Sequence, residues 1–237
     1  MAPPPTQRCR WHAIADLATL CAEVCARTLA CADDAIRRRG RFVIVLAGGN
    51  TPRRLYEALR SANADWSRWH VYFGDERCVS RSDPERNSLM AGSAWLDHVA
   101  IPEAQQHPMP SELGPAEAAR RYAALLEPVG DFDLVLLGLG EDGHTGSLFP
   151  GHDLGQSARA PSTLAVLDAP KPPAERVTLS ARRLSSTREA VFMVAGESKR
   201  DAVRRWRARD DIPARAITPG AGVDVFVEAT LLSSRRS

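Results

Sequence analysis

Apolar residues along this chain fall into two alternating rhythms. Between Trp11 and Arg39 they recur at Ile14, Leu17, Ala18, Cys21, Val24, Cys25, Leu29 and Ile36, the spacing of an amphipathic helix, and Gly40 supplies its stop. "RFVIVLAGG" follows, an unbroken β-branched run halted by glycines. Next comes "NTPRRLYEALR", where Thr51 can cap a helix and Pro52 suits its first turn. "HVYFGDER" then reads as strand and loop, "NSLMAGSAWLDHV" and "PAEAARRYAALLEP" as helices, and "FDLVLLGLG" as a strand. Beyond it "TLAVLD", "RVTLS", "EAVFMVAG" and "VDVFVEA" are strand candidates, with the helix "SKRDAVRRWRA" after the third. Strands that are apolar throughout and alternate with helices predict an α/β fold, a mostly parallel open sheet with helices on both faces, Rossmann-like. Ligands of such sheets sit beyond the carboxyl ends of the strands, so the loops after Leu46, Phe73 and Leu137 are expected to converge on one crevice.

The length of 237 residues suits one α/β domain, taken as residues 11–232, between a flexible leader (1–10) and a flexible tail (233–237). No stretch approaches the roughly 18 uninterrupted apolar residues of a membrane span. The opening "MAPPPTQRCRW" lacks the apolar core of a secretory signal, so a soluble cytoplasmic protein is expected. Five cysteines without a C-x-x-C pair read as reduced thiols. Of the 31 basic residues only Lys171 and Lys199 are lysines, and the net charge is +2. "IRRRGR" and "RRWRAR" carry no set of stacking aromatics and read as helix-end charge. Neither nucleic acid nor membrane is an expected partner, and a monomer is the expected state.

The loops carry the unusual chemistry. In "AGGNTP" a strand ends in Gly48 and Gly49 and passes through Asn50 to a helix at Thr51 and Pro52. Unpaired N–H groups and the positive end of the helix dipole then face whatever lies beyond the strand, which fits a phosphate. An ordinary capped turn accounts for the same residues equally well. In "GLGEDGHTGSLFPG", Gly138, Gly140 and Gly143 spell a dinucleotide fingerprint. Glu141 and Asp142 would put negative charge where a pyrophosphate must sit, and "HTGSLFPG" is a poor helix start, so that reading fails. The glycines instead bend the chain to project Asp142 and His144, an aspartate placed to orient an imidazole acting as general base. His12, His70, His98, His107 and His152 are assigned surface or core duty, and none of the histidines or cysteines shows metal-ligand spacing. "GDERCV" offers Asp75 for sugar hydroxyls and Arg77 for a carbonyl or oxyanion. Arg176 and Lys199 are candidate phosphate cations.

Taken in order, "AGGNTP", "GDERCV", "GLGEDGHTGSLFPG" and "RVTLS" resemble the 6-phosphogluconolactonases of the glucosamine-6-phosphate isomerase/6-phosphogluconolactonase family, over residues 10 to 230. The resemblance implies hydrolysis of a sugar-phosphate lactone without metal or organic cofactor. It also implies His144 as the base, and phosphate held by the glycine loop with Arg176 and Lys199. Three departures from the family's usual residues are Ala47 for serine, Gly146 for alanine and Ser180 for threonine. One alternative within the family is a glucosamine-6-phosphate deaminase or isomerase, which typically places a glutamate shortly after the histidine. "HTGSLFPGH" has no carboxylate between His144 and Asp153. A non-catalytic sugar-phosphate-binding domain is a further alternative, and it would not need His144.

Overall fold

The computed structural model describes residues 6–233; positions 1–5 and 234–237, within the expected leader and tail, lie outside the described residues. In chain order the elements are β1 (Cys9–Ile14), α1 (Leu17–Arg39), β2 (Phe42–Leu46), α2 (Asn50–Leu59), β3 (Trp69–Phe73), β4 (Asp75–Arg77), α3 (Asn87–Ala94) and β5 (Gln106–His107). They continue with α4 (Pro115–Leu126), β6 (Phe132–Gly138), β7 (Thr163–Val166), β8 (Arg176–Leu179), α5 (Ala181–Ser185), β9 (Thr187–Val194), α6 (Arg200–Arg207) and β10 (Val223–Glu228). The main sheet has seven strands in the order β1-β10-β9-β6-β2-β3-β5, and every pair in it is parallel. β2 and β6 are buried at nearly every position, as strands covered on both faces must be. No helix among the described residues is long and apolar enough to cross a membrane.

The first helix begins at Leu17, later than the Trp11 start that its spacing suggests. Asp16 takes the cap and accepts from the Thr19 N–H at 2.8 Å, and Gly40, at φ +73°, closes the helix onto the Ile36 carbonyl. The residues ahead of it form the edge strand β1. Its polar positions are paired across the sheet, with Arg10 and His12 both bound to Asp224 of β10 at 2.6 and 2.8 Å. Part of the expected leader is therefore held in the fold. The Gln7 amide donates to the carbonyls of Ala214 and Ile217, and Cys9 and Arg10 pair with β10.

A second correction concerns "GDER", expected as loop, together with "TLAVLD" and "RVTLS", expected in the parallel sheet. They form β4, β7 and β8 of a separate three-stranded antiparallel sheet, in the order β4-β8-β7. Gly74 makes the transfer from one sheet to the other: its N–H donates to the Leu46 carbonyl, and its own carbonyl accepts from Leu179 N–H. A Cβ there would lie 3.3 Å from Leu46 O.

The chain leaving β2 is anchored by one phenol. Tyr56, fully buried in α2, accepts from the Ala47 N–H at 3.0 Å and donates to the Ala47 carbonyl at 2.7 Å. Tyr56→Phe strips both backbone groups of their partner, so urea denaturation should show a loss of about 1–3 kcal/mol.

Candidate active site

At the carboxyl ends of the main strands, β2 and β6 lie side by side, and the next strand the chain adds to this sheet is β3 on the far side of β2 and β9 on the far side of β6. A cleft of about 220 Å³ opens at this divergence. Gly48, Gly49, Asn50, Thr51, Asp75, Arg77, His144, Arg176 and Lys199 all line it. Of the site residues read from sequence only Asp142 does not, standing behind His144 instead.

One wall is the start of α2. Its cap position is Gly49, at φ +105°, and not Thr51, which falls within the first turn. No side chain caps this helix and no acid stands in its first turn, so its dipole and leading N–H groups face the cleft uncompensated. Gly48 is required for a different reason: a Cβ there would fall 2.0 Å from Asn87 Oδ1.

The opposite wall is the loop after β6. His144 Nδ1 lies 2.6 Å from Asp142 Oδ1, which also accepts the His144 backbone N–H at 3.0 Å. Partial burial pushes the Asp142 carboxyl up, but the hydrogen bonds from His144 and its charge prevail and hold it at about 2. An ionised carboxylate only accepts, so Nδ1 carries the proton and Nε2 is left for the cleft. The ring packs against Phe149, with centroids 4.8 Å apart, and over Gly140, where a Cβ would come within 2.1 Å of Nδ1. The loop is tied down by Gly140 N–H to the His144 carbonyl at 2.7 Å and by Ala214 N–H to the Gly143 carbonyl at 3.0 Å. No helix follows Gly143, in keeping with the rejected dinucleotide reading.

The small sheet supplies the third side. Its antiparallel register pairs Asp75 with Thr178 and Arg77 with Arg176, so strand alternation puts these four on one face and turns Glu76 to the other. Glu76 is fully buried and accepts from the Asn87 and Ser88 N–H groups, fixing the head of α3. Asp75 accepts from Asn87 Nδ2 at 3.1 Å through Oδ1 and from Ser147 Oγ at 2.6 Å through Oδ2. Arg77 gives Nη1 to Glu85, while its buried Nε has no partner among the described residues. Arg176 donates through Nε and Nη2 to the carbonyls of Pro173 and Lys171, so part of this cation braces the adjoining loop. Burial lowers the Arg176 guanidinium and the Lys199 ammonium from their usual values, against the pull of Asp75 on the first and of Glu141 on the second.

Asn87 and Ser147 are the site residues that sequence reasoning missed. Their partners lie 12 and 72 positions away, so no local spacing marks them; the only available signal was an asparagine heading a predicted helix. None of the other five histidines lines the cleft. Among the described residues no group of three or more histidine, cysteine, aspartate or glutamate side chains is arranged to hold a metal ion.

Residues 15–226 match the family of glucosamine-6-phosphate isomerases/6-phosphogluconolactonase. A 6-phosphogluconolactonase of Nostoc sp. is 39% identical over 200 residues, covering 79% of this chain and 82% of that protein. One of Mycobacterium leprae is 40% identical over 211 residues, 83% of each chain. The crystal structure of a 6-phosphogluconolactonase from Thermotoga maritima superimposes with a TM-score of 0.85 across 93% of this chain and 100% of that one, a likeness of fold at 24% identity.

The Asp142 carboxyl lies below its ordinary 3.8, so what it contributes to stability is complete above about pH 4 and is lost as the pH falls through about 2. The gap in urea midpoint between the native chain and Asp142→Asn should be widest near pH 5 and should close toward pH 2.

Proposed function

The chain belongs to the glucosamine-6-phosphate isomerase/6-phosphogluconolactonase family, and on that premise we propose that it hydrolyses 6-phospho-D-glucono-1,5-lactone to 6-phosphogluconate by general-base activation of water. The observation that carries this reading is the aspartate-held imidazole of His144, 2.6 Å from Asp142, on the same cleft as the uncapped start of α2. The two features serve the two ends of such a substrate.

At one end, the N–H groups at Gly49 and Asn50, the Thr51 hydroxyl and the ammonium of Lys199 receive the phosphate dianion. Arg176 adds charge, while two of its nitrogens stay on the neighbouring loop. At the other end, His144 Nε2 takes a proton from water as the oxygen attacks the lactone carbonyl. Asp142 stabilises the imidazolium that forms. Arg77, whose Nε lacks a partner, stabilises the oxyanion. The imidazolium then protonates the departing ring oxygen, which becomes the free hydroxyl of the product. Asp75 receives ring hydroxyls. A lactone is a reactive acyl group, so this scheme needs no metal or organic cofactor: general-base help of about 10²- to 10⁴-fold and positioning by the phosphate suffice.

The deaminase reading has less support. The first carboxylate after His144 is Asp153, which lies outside the cleft lining and accepts from the Gly155 N–H at 2.9 Å. Every residue used comes from one chain, so a monomer is sufficient. The unpaired cysteines, with Cys31 pushed up to about 12 by burial, suit the reducing cytoplasm we assign to it.

Lactone generated in situ from glucose 6-phosphate should decay faster with the purified protein than by spontaneous hydrolysis, and ammonia should not be released from glucosamine 6-phosphate. His144→Ala should lower kcat by about a hundredfold or more with little change in KM. Lys199→Ala should instead raise KM, by about tenfold. Lactone decay at the spontaneous rate in the presence of the protein would overturn the assignment.

A further inference from the structure

We propose that Ser147 is a positioning residue for this reaction, its hydroxyl setting where the histidine loop stands relative to the sheet wall that carries Asp75. The proposal rests on the lactonase reading of the cleft and assigns a role to a residue that touches neither phosphate nor carbonyl.

Ser147 follows His144 by three residues and is almost wholly buried, at 1% exposure. Its Oγ donates to Asp75 Oδ2 at 2.6 Å, and its backbone N–H donates to Thr178 Oγ1 at 3.3 Å. Asp75 and Thr178 are cross-strand partners of β4 and β8, so the turn at Gly146 and Ser147 sits directly on one rung of the small sheet. Nothing separates them. Gly146 has φ +54°, and a Cβ there would lie 3.3 Å from Thr178 Oγ1 and 3.7 Å from Asp75 Cβ. Among the described residues the Ser147 to Asp75 bond is the one hydrogen bond between side chains that joins the loop of residues 138–151 to β4 or β8.

Two consequences follow from that placement. Asp75 is braced from opposite sides, by Ser147 on Oδ2 and by Asn87 on Oδ1, and each oxygen keeps a lone pair for a ring hydroxyl. His144 and Asp75, which must meet the same lactone, stand on elements whose spacing this bond fixes. Without the hydroxyl, a buried carboxylate oxygen loses its donor and the turn is free to shift. Displacement of a general base by about 1 Å is enough to cost up to about a hundredfold in rate.

The test compares the native chain with Ser147→Ala, Asp75→Asn and the double variant, using lactone generated in situ, with melting curves to confirm folding. Ser147→Ala should lower kcat about tenfold while KM changes less than threefold, and the acid limb of the pH–rate profile should stay where it is. The double variant should be no slower than Asp75→Asn by more than about twofold, because Asp75→Asn already replaces the charge-assisted bond to Ser147 with a weaker neutral one. If Ser147→Ala does not fold, Ser147→Cys, which keeps a weak donor, replaces it and should retain an intermediate kcat. Three results would overturn the proposal: turnover within twofold of native, a loss confined to KM, or effects that multiply in the double variant. An inactive native chain would overturn the functional reading and this inference together, whereas an active native chain with an unimpaired serine variant would overturn the inference alone.

Discussion

β2 and β6 run parallel and in contact, yet the strands the chain next adds to their sheet, β3 and β9, lie on opposite flanks. The strands' own continuations border the space this opens at their carboxyl ends. What the continuations contain decides what the space can hold. On the β2 side it is a glycine pair leading into a bare helix start, and on the β6 side a glycine-framed imidazole. The two are neighbours in space because their strands are neighbours in the sheet, although 94 residues separate Asn50 from His144. The remaining elements hold that divergence rigid. Tyr56 fixes the exit from β2, and the bond from Gly143 to Ala214 fixes the exit from β6.

Rigidity matters because the cleft gathers charge that its own protein groups leave incompletely paired. Lys199 and Arg176 are both lowered by burial, and Arg77 keeps a buried nitrogen without a partner. A dianionic ligand would answer these groups together, which the neighbouring carboxylates cannot do. Glu76 is committed to the head of α3, Asp142 to the imidazole and Asp75 to two neutral donors. These three acids are thereby kept from pairing directly with the cleft cations, of which, among the described residues, Arg77 alone meets a carboxylate, that of Glu85 at 3.3 Å. This division of labour follows from strand alternation, which turns Asp75 and Arg77 inward and Glu76 away.

The legible parts of the sequence were those whose meaning is local. "RFVIVLAGG" and "FDLVLLGLG" announce fully buried strands by composition alone, and an acid two residues from a histidine within a glycine frame carries its geometry in its spacing. The illegible parts depend on distant partners. β4 has only three residues, too few for any periodicity, and its antiparallel pairing is decided by a segment some 100 residues later. Residues 11–14 of β1 mimic helix because Trp11 and Ile14 happen to extend the spacing of α1, while Arg10 and His12 disclose a strand only when Asp224 is beside them. Thr51 looked like a cap by residue type. The positive φ of Gly49 moves the helix start two residues earlier and leaves the Thr51 hydroxyl within the first turn.

The glycines show how the site's geometry is obtained and what it costs. Gly48 and Gly140 are needed because Asn87 and the His144 ring occupy the volume a Cβ would take, and Gly143 because Ile212 lies 2.7 Å from one. Each glycine surrenders more backbone freedom on folding than a larger residue would, a cost of about 0.5–1 kcal/mol apiece. The fold offsets it elsewhere, with buried parallel strands and helices on both faces. What the expenditure achieves is contact between backbone and side chains from separate elements. Imidazole, carboxylates and helix start are thereby brought around one cleft. A site assembled on bulkier residues would stand farther apart, and hydrolysis of a lactone, already facile, gains most from the positioning that such close assembly allows.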